Sequence, residues 1–342
     1  MLRYIKTPVM KKLFAFCLFS LIYSFLTAQS SKVKDIYIAG YESNGTKSVA
    51  KYWKNGIATN LSDGTNDAFA ESIVVSGTDV YVAGYEYSGK KTIAKYWKNG
   101  VATNLTDGTN MAYAYSITVS GNNVFVAGYG SNGKKDVAKY WKNGIATILS
   151  DSTENAQTKS IVVIGADVYV AGIETKNHIW VAKYWKNGIA TNLTDGTKSA
   201  DVLSMLVSGK DVYVAGSESN GKKDVAKYWK NGIATILSDG TASTFPHSIA
   251  LAGTDVHVVG IEYSGSHVIA KYWKNGVLTN LPDATKDANA NSILVSGKDV
   301  YIAGSGYNGK HTVAILWKNG VATTITTDAN LSSSATSLYI TK

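Results

Sequence analysis

The tetrapeptide "WKNG" recurs at Trp53, Trp97, Trp141, Trp185, Trp229, Trp273 and Trp317, each 44 residues after the last. A fixed period of roughly 40–50 residues built from short strand-like segments is the sequence mark of a β-propeller. The stretch from Asp35 to Lys342 holds 308 residues, seven periods with no linker left over.

Each unit contains four segments of strand character, seen in "SIVVSG" (72–77), "DVYVAG" (79–84), "TIAKYW" (92–97) and "VATNL" (101–105). We label them A to D, innermost to outermost. "KNG" between C and D puts Asn-Gly where a type I′ hairpin needs two residues with positive φ, and "SGTD" closes the A–B pair as tightly. The longest connection, such as "TDGTNMAYA", precedes the next A segment and carries the chain to the next sheet. The chain begins on a B segment, "DIYIAG", and ends on an A-like one, "SLYITK". The terminal strand therefore completes blade one, and the ring closes without an open edge. The expected fold class is an all-β, seven-bladed propeller with four antiparallel strands per blade. An open solenoid would need atypical capping repeats, which this chain lacks.

Residues 1–29 differ from the rest. After Met10, two lysines precede an apolar run from Leu13 to Leu26 and then small polar residues, the pattern of a cleaved secretory signal. The run is too short to span a bilayer, so no membrane span is expected after cleavage near Ala28 or Gln29. The expected domains are thus 1–29, signal peptide, and 30–342, a single propeller outside the cytoplasm. The lone cysteine, Cys17, lies inside the signal and not where a lipid anchor needs it. The whole chain carries +9; the signal holds Arg3, Lys6, Lys11 and Lys12 and no acid, leaving +5. Arg3 is the only arginine, and without its planar fork a nucleic-acid partner is not expected.

The repeated residues read as structure. Tryptophan at one place in every C segment is a packing wedge between blades. Ser72, Ser116, Ser160, Ser204, Ser248, Ser292 and Ser337 head the A segments and satisfy nearby backbone groups. Asp63, Asp107, Asp151, Asp195, Asp239 and Asp283 belong to turns rather than calcium loops.

The units differ most in the B–C loops and the D–A crossings, which share one face, the top. That face carries Tyr87, Tyr113, Tyr115, Trp180, Tyr263 and Tyr307, with Glu42, Glu86, Glu174, Glu218 and Glu262 among them. Loops on a rigid scaffold commonly hold binding sites. Glu42, Glu86, Tyr87, Tyr113, Tyr115, Trp180, Glu262, Tyr263 and Tyr307 are therefore the candidate ligand-binding residues. Of the five histidines, His247, His257, His267 and His311 fall in the last two complete blades, but no metal spacing links them. No cofactor, metal or catalytic constellation is expected. "SNGKKDVAKYWKNGIATILSD" occurs identically at 131–151 and 219–239, consistent with recent duplication or with multivalent binding.

The run "AKYWKNGIATNLSDGTNDAFAESIVVSGTDVYVAG" (50–84) resembles the extracellular HAF-type repeats of secreted bacterial proteins. In those, a tryptophan-x-asparagine-glycine turn precedes a leucine and later a short strand ending in glycine. The likeness covers all seven units; it implies a propeller-like repeat and a secreted setting, and brings no catalytic residues. Tyr52 and its equivalents depart from the pattern, which often has a smaller apolar residue there. The expected function is a secreted, non-catalytic binding propeller for an extracellular glycan or protein. The alternatives are a structural or surface-layer protein without a specific ligand, and a hydrolase or lyase.

Overall fold

The computed structural model describes residues 34–281, 287–328 and 330–341. The signal-peptide expectation, with Cys17, and the Asp283 turn lie outside these residues. Asp35–Lys342 form one compact unit of seven four-stranded antiparallel sheets. In blade 2 the strands are A, Ala68–Ser76; B, Asp79–Ser88; C, Lys91–Lys98; and D, Val101–Asn104. Blades 3 to 7 repeat this order, with A strands Ala112–Ser120, Ala156–Ile164, Ala200–Ser208, Thr244–Ala252 and Ala288–Ser296. In blade 1 the last strand, Ser333–Ile340, pairs antiparallel with the first, Ile36–Ser43, so the first and last described strands share one sheet. The A strands neighbour one another in an unbroken circle. The seven-bladed propeller expected from the repeat is the fold observed.

Two devices hold the frame. Each repeat tryptophan is buried between adjacent blades, with Trp53 and Trp317 wholly enclosed. Trp229, for example, packs on Tyr169, Ala171 and Ala182 of the preceding blade. The second device is the asparagine of each "KNG" turn, which adopts φ of 51–53° before a glycine at 81–84°. Asn55 accepts from the Ile36 N–H at 2.8 Å and donates to Asp35 at 2.7 Å, locking the C–D turn to the start of strand B. The same pair of bonds recurs at all seven turns.

The serines at the A segments form a belt. Ser72 Oγ accepts from the Ile117 N–H of the next blade at 3.2 Å, and Ser337 accepts from Ile73 at 3.4 Å. The other five do likewise, ending with Ser292 accepting from Leu338, so seven bonds stitch the inner strands into a closed circle. Asp63, Asp107, Asp151, Asp195 and Asp239 each accept from the backbone and hydroxyl of a threonine two residues on, which makes them turn residues.

The A strands begin four residues earlier than the sequence pattern indicates. "AFAE" and "AYAY" are strand, not crossing loop, and the reason is a β-bulge. The A–B register slips between Ala70 and Ser72, leaving Glu71 unpaired, and the same slip recurs in every blade. Burial alternates through Ala68 and Ala70, then changes phase to Ile73 and Val75. The extra residue hides the period-two signal that would have marked the strand. Gly84 faces the bulge because a Cβ there would sit 2.0 Å from the Phe69 carbonyl oxygen. That close approach explains the glycine ending each "VAG".

Candidate functional site in the central channel

A bulge re-aims one side chain per strand. Around the ring the bulged residues are Thr336, Glu71, Tyr115, Lys159, Leu203, His247 and Asn291, one from each blade in order. All seven line a single cavity of about 430 Å³ in the channel, toward the top face, joined by Tyr41, Phe69, Tyr85 and Ser334. A cavity of roughly 300–1,000 Å³ suits a small ligand. The most repetitive protein chemistry in the molecule thus surrounds seven positions that share no residue type.

The two arcs of this ring differ. In blades 6, 7 and 1 the bulged side chains are engaged by the next blade. His247 Nδ1 lies 3.2 Å from the Ala290 oxygen, Asn291 donates to the Ala335 oxygen at 2.8 Å, and Thr336 donates to the Ala39 and Ala70 oxygens. Because a carbonyl only accepts, Nδ1 of His247 carries the proton and Nε2 is left as an acceptor. Burial also lowers the His247 pKa, keeping the ring neutral.

In blades 2 to 4 the bulged side chains face the cavity. Among the described residues no hydrogen bond or ion pair holds Glu71. Burial raises its carboxyl to about 7, against the pull of Lys159. Lys159 Nζ lies over Tyr115, 4.1 Å from the ring centroid, and 5.7 Å from that of Tyr129. Burial lowers its pKa, while Asp201, Glu71 and Asp136 oppose the fall. Burial likewise raises the pKa of Asp201. An aromatic arc backs this side: Tyr41 meets Phe69 edge-on at 4.8 Å, Phe69 stacks on Tyr85 at 5.2 Å, and Tyr85 meets Tyr113 at 4.8 Å. Tyr113 and Tyr115 stack at 6.1 Å. Burial raises the Tyr85 and Tyr115 pKa values, so both remain hydroxyl donors. The pocket therefore offers an acid poised near neutrality, an ammonium, an unprotonated imidazole nitrogen and an aromatic wall.

The sequence-derived candidates fall in three places. Tyr115 lines the cavity, and Tyr113 and Tyr87 belong to its aromatic arc; Tyr87 lies 6.2 Å from Tyr85. Glu42, Glu86 and Glu262 are ion-paired within their own blades, to Lys51, Lys95 and Lys271, as Glu174 and Glu218 are to Lys183 and Lys227. Glu42 is almost fully buried and also takes bonds from Thr326, Thr327 and the Asp328 N–H. Trp180 packs against the cluster between blades 4 and 5. Tyr263 and Tyr307 are exposed, Tyr263 edge-on to Phe245 at 5.9 Å. These last three stand apart from the cavity.

His247, which no metal spacing linked to a site, lines the channel, and chemically distinct side chains from all seven blades meet there. Glu71, Lys159, Leu203, His247, Asn291 and Thr336 escaped sequence reasoning. The residue before each A-strand serine differs in all seven units, and that column would have exposed them. No group of three or more metal-ligating side chains occurs among the described residues.

No family model matches the chain, and no curated protein matches it in sequence, so the HAF-type likeness rests on the repeat residues alone. Solved structures with a similar course include an acylaminoacyl peptidase from Pyrococcus horikoshii, at 11% identity and a TM-score of 0.49, covering 83% of this chain and 48% of that one. This chain thus spans about half the length of that peptidase. A putative TolB from Agrobacterium tumefaciens is similar at 11% identity and a TM-score of 0.45, over 71% of this chain and 85% of that one. The propeller domain of the Trilobed protease from Pyrococcus furiosus matches at 9% and 0.41, over 77% of this chain and 97% of that one. Likenesses this distant carry no activity across. No helix among the described residues is long and apolar enough to cross a membrane.

Proposed function

We propose that the protein is a secreted, non-catalytic binding propeller that takes one exposed unit of an extracellular glycan or protein into the central channel. One observation carries this reading: seven bulges in an otherwise uniform repeat present seven different side chains to one cavity. Scaffold positions have no reason to diverge together, whereas a binding site needs several chemistries at once. The aromatic arc suits the apolar face of a ring, and Glu71, Asn291 and Lys159 suit hydroxyl and charged groups.

This reading replaces many equivalent top-face sites with one central site. A glycan array followed by calorimetric titration of the strongest hit tests it. One site per chain is expected; several equivalent sites would place binding between blades and sink the central pocket.

A structural role has one observation in its favour. The first residue of every D strand is an exposed isoleucine or valine, from Ile57 to Val321, giving the outer rim seven equally spaced apolar contacts. Concentration-dependent sedimentation without ligand, lost on changing these residues to serine, would support it.

A further inference from the structure

Every glutamate that ends a B strand has a lysine partner on strand C of its own blade, from Glu42 with Lys51 to Glu262 with Lys271. The cavity lining departs from this habit. Glu71 and Lys159 are its only acid and its only base by charge, they come from blades 2 and 4, and Tyr115 of blade 3 stands between them. Among the described residues neither forms an ion pair. Both are partly buried in the channel, and a cavity that keeps two charges of opposite sign apart leaves each to be paired by a ligand.

We propose that the central pocket takes a small zwitterion, its ammonium against the Glu71 carboxylate, its carboxylate against the Lys159 ammonium, and the spacer between them lying on Tyr115. This rests on the central pocket being the binding site. A simple anion would satisfy Lys159 but stand beside Glu71, and a simple cation would meet the reverse problem. Only a ligand with both signs completes both groups. The wall supports the spacer: Tyr115 comes from the blade between the two charged groups, and Phe69, Tyr85 and Leu203 add apolar lining to the same cavity. Lys159 already lies over the Tyr115 ring, so its ammonium is held for a carboxylate arriving along that face. Asp201 and Asp136, from the two blades that flank that of Lys159, act on it by charge and favour the protonated ammonium the contact needs.

The test is calorimetric titration of the purified protein with ω-amino acids of increasing length, from glycine through 4-aminobutyrate to 6-aminohexanoate. Butylamine and butyrate serve as single-charge controls. One spacer length is expected to bind best, with each control at least tenfold weaker. Glu71→Gln and Lys159→Met should each weaken that ligand at least tenfold with melting curves still cooperative. Lys159→Arg, which keeps the charge but moves it, should shift the preferred length. Single-charge controls binding as tightly as the zwitterions would overturn the proposal. So would a neutral sugar that binds at one site per chain and is lost on Tyr115→Ala while no zwitterion binds; the pocket would then stand and its charge assignment fall. Binding of neither class would remove both.

Discussion

Two regions of each blade obey opposite rules, the turn that joins strands C and D and the bulge in strand A. At the bottom, the asparagine of every "KNG" turn makes the same two hydrogen bonds in all seven blades. At the bulge of the inner strand no two blades carry the same side chain. The same register slip recurs in every blade, so the divergence is of side chains on a shared backbone. The bulge takes one residue per blade out of the A–B ladder and turns its side chain toward the channel, where it can change chemistry without breaking the ladder.

The largest effects should come from the frame. Trp229→Ala empties a fully enclosed site between blades and should cost about 3–5 kcal/mol of stability, seen as an earlier denaturant midpoint. Glu42→Gln comes next. Burial works against its charge, but bonds from Lys51, Thr326, Thr327 and Asp328 outweigh it and hold the carboxyl at about 2. Its folded value lies below the unfolded one, so its stabilisation is present above the ordinary carboxylate range and is lost as pH falls toward 2. The variant should therefore lose about 2–3 kcal/mol at pH 7 and little at about pH 2. An equal loss at both pH values would deny the ionised carboxylate its role in joining the B strand of blade 1 to the segment that leads into the closing strand.

Glu71→Gln should do the opposite. Its folded value, about 7, lies above the unfolded one, so folding disfavours the charged form and the group destabilises increasingly as pH rises past the carboxylate range. The variant should gain roughly 1–2 kcal/mol at about pH 8 and nothing at about pH 4, read from melting curves at the two pH values. A stability gain alongside a loss of ligand would separate the bulge from the frame. Ser160→Ala, which removes one bond of the belt at 3.1 Å, should cost only about 1 kcal/mol by chemical denaturation. A loss of several kcal/mol would mean that the belt closes as one cooperative unit.

The frame was legible because it repeats. A 44-residue period, Asn-Gly turns and a terminal A-type segment state blade number, turn type and closure without further input. Glu42, Glu86 and Glu262 looked like top-face ligands because sequence gives their place at the end of strand B but not the lysine nine residues on that faces them. Tyr113 and Tyr115 were found by their aromaticity and misplaced in a loop, since the bulge breaks the alternation that reveals a strand. Glu71 and Lys159 were missed for a related reason: a lone charged residue beside a serine carries no motif. Its meaning depends on seven strands converging on one axis.

The central claim is that the ligand sits in the channel and not on the exposed top loops. Calorimetric titration of one identified ligand into Tyr115→Ala and Tyr307→Ala, side by side, tests it most directly. The account predicts at least a tenfold loss of affinity for Tyr115→Ala and less than a twofold change for Tyr307→Ala. Full affinity in a folded Tyr115→Ala, with the loss appearing in Tyr307→Ala, would contradict it.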